Sequence, residues 1–133
     1  MQRAGTRRST RVSRPPVRLI DEADPVELLI TRVLATRAVC SSLQKRILKN
    51  AREMYDAALE NGRTDLIVET LTDYVNYSNS AITLSFKCGG LIDKLLVAPQ
   101  RHADYAAELQ DVAEETSHVA VRFNRMEEEL YLL

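Results

Sequence analysis

YAAELQDVAEETSHVAVRFNRMEEELYLL, residues 105–133, carries one narrow apolar stripe on a charged background. Alternating steps of four and three from Tyr105 reach Leu109, Val112, Thr116, Val119, Phe123, Met126, Leu130 and Leu133, apolar everywhere except Thr116. Between them lie Glu108, Asp111, Glu114, Glu115, Arg122, Arg125, Glu127, Glu128 and Glu129. That is the heptad seam of a coiled-coil-type helix. Such a helix has no means of burying its stripe alone, so another part of the chain or a second chain must cover it. The seam residues, from Tyr105 to Leu133, are therefore the expected protein interface, contributing to a core and extending into a partner.

Two further helices are legible upstream. Asp24-Pro25-Val26-Glu27 supplies an N-cap acid, a proline at the first helical position and an acid three residues after the cap. From there Val26, Val33, Cys40, Ile47 and Met54 recur every seven residues, with Leu29, Leu43, Ala51 and Ala58 on the same face. This helix, about 54 Å long, should stop at Asn61-Gly62, a left-handed C-terminal signal. The short Asn61-Gly62-Arg63-Thr64 turn then sends the next helix back antiparallel. Helix two begins at Thr64 or Asp65 and is expected to bury Leu66, Ile67, Leu71, Tyr74, Val75, Ile82 and Phe86. Gly89-Gly90 costs roughly 1 kcal/mol per glycine inside a helix and predicts a kink or break, through close helix packing or a hinge. Pro99 ends that segment and opens the last helix.

The expected fold is all-α: an antiparallel bundle of three long helices over about 25–60, 64–97 and 99–131, preceded by a disordered basic tail over 1–24. The composition agrees, with 45% hydrophobic and only 5% aromatic residues, four glycines and four prolines. Parallel and antiparallel seams both fit the pattern, as do a closed monomer and a dimer sharing helix three.

The formal net charge of −1 conceals a division. Residues 1–18 hold Arg3, Arg7, Arg8, Arg11, Arg14 and Arg18 without an acid, a charge of +6 that leaves −7 on the rest. Six arginines can line a phosphate backbone and release counterions, a sequence-independent attraction that salt weakens. They serve equally as a nuclear-import signal, a dock for an acidic surface, or a solubilising tail without a fixed partner. No aromatic residue in the tail is available to stack on bases, so nucleic-acid binding through it would be nonspecific. Phosphate on Ser9, Thr10 or Ser13 would remove about 1.5 to 2 units of positive charge each.

Chemistry-bearing patterns are sparse. Glu115-Thr116-Ser117-His118 has the Glu-x-x-His spacing of carboxylate-bridged metal bundles, but no second copy exists and both groups flank the seam, facing outward. Neither Cys40 nor Cys88 has flanking residues suited to thiolate activation. A hairpin turning at residue 62 places the two thiols at similar heights, about 6 Å apart along the axis, as small core hydrophobes. Tyr74 and Tyr105 fit core stripes rather than a base-stacking set. No catalytic residue, metal ligand, cofactor or small-molecule substrate is therefore expected. No apolar run approaches membrane length and no secretion signal is present, which reads as an intracellular protein, cytoplasmic or nuclear.

The order of a basic long helix (RVLATRAVCSSLQKRI), an NGRTD turn, a second helix (LIVETLTDYVNY) and an acidic closing helix (NRMEEELYLL) resembles the N-terminal helical region of retrotransposon Gag polyproteins, the BEL/Pao type being nearest. The resemblance covers roughly residues 26–133. It lacks the Cys-Cys-His-Cys zinc knuckle that many Gag proteins carry, and it transfers no functional residue. It implies self-assembly with nucleic-acid association. The sequence therefore reads as a non-enzymatic helical assembly or adaptor protein whose partner is itself or another helical protein. The alternative is a Gag-like protein holding RNA or DNA through its arginine tail.

Overall fold

The computed structural model describes residues 24–131, and the arginine tail and Leu133 lie outside them. Helix α1 spans Pro25–Glu60, α2 spans Ile67–Val97 and α3 spans His102–Tyr131, with no strand among the described residues. Single 3-10 turns, Thr64–Leu66 and Pro99–Arg101, lead into α2 and α3.

The ends follow from local chemistry. Asp24 Oδ1 accepts the Val26 N–H at 2.9 Å, satisfying one of the donors that a helix start leaves free. At the other end of α1, Gly62 takes φ 69°, the left-handed region that glycine enters without a Cβ penalty. Arg63 N–H then donates to Ala58 O at 2.8 Å and Gly62 N–H to Leu59 O at 3.2 Å, the paired bonds of a Schellman stop. The Arg63 guanidinium reaches both oxygens of Asp65, at 3.3 and 3.4 Å, and holds that carboxyl below its usual range. Pro99 has no N–H to continue α2, and Ala98 before it is extended at φ −136°, ψ 67°.

Cross-helix bonds fix the directions. Cys40 meets Thr116, Arg46 meets Asn124 and Asn50 meets Glu127, numbers that rise together, so α1 and α3 are parallel. Lys87 pairs with Glu115 and Lys94 with Glu108, numbers that run oppositely, so α2 is antiparallel to α3. All three helices contribute to one core: Leu29, Val33, Leu43 and Ile47 from α1, Tyr74, Leu84, Leu91 and Leu95 from α2, and Tyr105, Leu109, Val112, Val119 and Phe123 from α3. Phe123 ties them together. Tyr74 and Tyr77 stand edge-on to its ring at 5.7 and 6.1 Å, and the Arg46 guanidinium lies over it at 5.1 Å.

Three expectations need correction. Helix α2 is continuous through Gly89-Gly90, with neither break nor hinge. Close packing within the chain does not explain the pair either, since a Cβ on either glycine would meet nothing within 4 Å. The inward face of α2 is also rotated from the one the apolar residues suggested. Thr70, Tyr74, Ser78, Ala81, Leu84, Cys88, Leu91 and Leu95 are buried, whereas Val75 is 53% and Phe86 75% exposed. Of the remaining expected residues, Leu66, Ile67, Leu71 and Ile82 are half-buried. The interior stripe joins Tyr74, Leu84, Leu91 and Leu95 to small and weakly polar residues, and further large hydrophobes, Val75 and Phe86 among them, lie on a second stripe.

Two stability measurements check this account. By urea denaturation, Gly62→Ala should destabilise by about 1 kcal/mol or more, because its φ is positive. Phe123→Ala should cost on the order of 3–5 kcal/mol, the range for truncating a fully buried aromatic.

Candidate functional site

The seam of α3 closes inside the chain. Tyr105, Leu109, Val112, Val119 and Phe123 are buried against α1 and α2, and Met126 and Leu130 pack half-buried on the same core. These residues thus contribute to the core of their own bundle, the first of the two roles expected of the seam from the sequence. The cause is length: α1 and α2 are long enough to cover the stripe along nearly its whole course. Thr116, the one polar position on the seam, donates its hydroxyl to Val112 O at 2.7 Å and meets Cys40 Sγ at 3.4 Å, so its polarity is absorbed locally.

Cys40 and Cys88 come together at the centre of the bundle, both free thiols and both fully buried. Burial, with the neighbouring Cys40 adding to it, pushes the Cys88 thiol up to about 11. The Cys88 thiol is thus held as a neutral core group. Glu115 is exposed and takes the Lys87 ammonium at 3.5 Å, and His118 is exposed. Among the described residues no group of three His, Cys, Asp or Glu is placed to hold a metal ion. Nor is any described helix long and apolar enough to cross a membrane.

Two features were missed in the sequence. The first is an open cleft of about 640 Å³ at the hairpin end, lined by Met54, Ala58, Leu66, Tyr74, Glu127 and Leu130. It exists because the α1–α3 bonds pair residues 76 to 78 apart, which sets Tyr131 level with about Met54, so α1 continues beyond the described part of α3 for roughly 9 Å. Within it the Glu127 carboxylate accepts the Asn50 amide at 2.8 and 2.9 Å and the Tyr74 hydroxyl at 3.1 Å.

The second feature is a surface. Around α2, at about 100° per residue, Val68, Leu71, Val75, Ile82, Phe86, Gly89, Leu96 and Val97 fall within a sector of roughly 100°, turned away from buried Cys88. Val68, Val75, Phe86, Leu96 and Val97 are exposed. On α1, Leu34, Leu48 and Leu59 are also exposed and lie roughly 120–180° round from Arg46 and Asn50, which bond to α3. Half-buried Ile30 and Tyr55 of α1, and Leu71 and Ile82 of α2, grade from these rows into the contact between the two helices. The α1/α2 hairpin therefore has two apolar faces. Helix α3 covers one, and the other is open. The signal was present as a seven-residue recurrence, Val68, Val75, Ile82, Gly89 and Leu96, of which Val75 and Ile82 were expected in the core.

No protein-family model, curated protein or solved structure matches the chain.

The thiol pair gives a pH test. A folded-state pKa of about 11 against an ordinary 9.0 means that the neutral thiol's contribution is complete below about pH 9 and is lost as pH rises toward 11. Urea midpoints measured from pH 8 to 11 should fall more steeply for the native chain than for Cys88→Ala.

Proposed function

We propose that this protein is a non-enzymatic assembly or adaptor module that works through protein–protein contacts on its helical surface. The observation that carries this reading is the apolar row on α2 and the neighbouring flank of α1. A soluble monomer tolerates scattered exposed hydrophobes, but a continuous apolar face is characteristic of a binding surface. The row runs from Val68 to Val97, about 44 Å along the helix, and carries a single charge, Asp93. Its partner presents a complementary apolar helical surface, the helix-in-groove mode of recognition. The Gag-like order of helices implies the same kind of association.

The reading is tested in cells by photo-cross-linking with full-length chain carrying Phe86→p-benzoylphenylalanine. Discrete protein adducts should form from this position and not from the same probe at exposed Arg125 on α3. Absence of adducts at position 86, with the protein folded and expressed, would overturn the assignment of this face to protein contact.

A further inference from the structure

Resting on that reading, we propose that the open face of the α1/α2 hairpin is the interface of a twofold dimer of this chain, with α1 of each copy lying over α2 of the other.

The area suffices. Two helices, each about 10 Å wide and open over about 44 Å, present on the order of 800 Å², close to the share one partner contributes to a stable interface. Both helices of the face come from the same hairpin, so a twofold operation supplies each apolar row with the other and leaves neither uncovered.

Charge selects the axis. The α1 edge of the face carries exposed Arg37 and Lys45, and the α2 row carries exposed Asp93 as its one charge. A twofold axis parallel to the helices sets α1 over the partner's α2, bases against the acid. An axis across the helices would set α1 on α1 and oppose like charges. With Cys40 beside Cys88 fixing the heights, Arg37 of one copy comes level with Asp93 of the other to within about 3 Å along the axis.

Shape agrees with charge. Phe86, 75% exposed, is the largest side chain on the α2 row. On α1 the exposed leucines Leu34 and Leu48 are 14 residues apart, and midway between them stands Ser41, a small residue. The same height rule places Phe86 of the partner within about 1.5 Å of Ser41 along the axis, so the ring seats between the two leucines. Gly89 and Gly90 lie one turn further along α2. They have no packing role inside the chain, because a Cβ at either site would meet open space. Their lack of side chains permits the partner's α1 to approach beside the seated ring.

The test is light scattering on the purified full chain across a concentration range. The expected mass is twice the 15.0 kDa of one chain. Phe86→Glu and Leu48→Glu should each return it to a single chain with helix content unchanged, since both side chains are at least half exposed. Arg37→Asp should weaken the dimer at least tenfold, and adding Asp93→Arg should restore it. In the purified dimer, the cross-linker at position 86 should attach to α1 of the partner near Ser41. A single-chain mass at every concentration overturns the dimer, while adducts to other proteins in cells would leave the assembly reading standing. A dimer insensitive to both glutamate substitutions, or cross-links joining α2 to α2, overturns this interface.

Discussion

The fold depends on covering the apolar stripe of α3. Eight positions spaced four and three apart, Tyr105 to Leu130, leave that helix with no stable solvated state, and the α1/α2 hairpin supplies a trough to seat them. Everything else in the interior follows from seating α3 there: the parallel run of α1 and α3, the aromatic cluster at Phe123, and the local satisfaction of Thr116. Polar flanks then set the register. Lys87 with Glu115 and Lys94 with Glu108 are exposed pairs, each worth little alone, but they penalise any slip of α3 along α2.

Much of this was legible in the sequence because helix termini have local causes. Asp24-Pro25, Asn61-Gly62 and Pro99 mark ends through backbone hydrogen bonding and allowed dihedrals, which neighbouring residues dictate. The near-equal height of Cys40 and Cys88 followed from the turn alone. Which way α2 faces was not legible, because that depends on what packs against it. Its inner stripe uses Thr70, Ser78, Ala81 and Cys88, residues small enough to let neighbouring helices approach, while hydrophobicity by itself favours Val75 and Phe86. Helix continuity through Gly89-Gly90 has the same origin. A cost of about 2 kcal/mol for two glycines is offset by burial of Cys88, Leu91 and Leu95 on either side. The hydroxyls that lower helix propensity in α2 are likewise accommodated, as Thr72 bonds back to Val68 O and Ser80 to Asn76 O.

The candidate site was hidden for a related reason. A helix with two apolar stripes looks, in sequence, like a helix with one broad stripe, and only the position of its neighbours separates the covered side from the open one. Here the buried thiols, the hydrogen-bonded Glu127 and the exposed Glu115 and His118 all have structural roles or solvent contact. The open hairpin face is a feature that the interior does not account for.

The tight turn at Gly62 has a kinetic consequence. Contacts between α1 and α2 close loops that grow one helical turn at a time from the Schellman stop, so this pair can zip progressively from its joined end. The α1–α3 contacts link residues 76 to 78 apart in the chain, and without the hairpin each would carry a large loop-closure entropy. With the hairpin formed, α3 needs only to fold back across Pro99 onto a prepared surface. Assembly in that order keeps the effective contact order low and places the molecule among fast-folding helical domains.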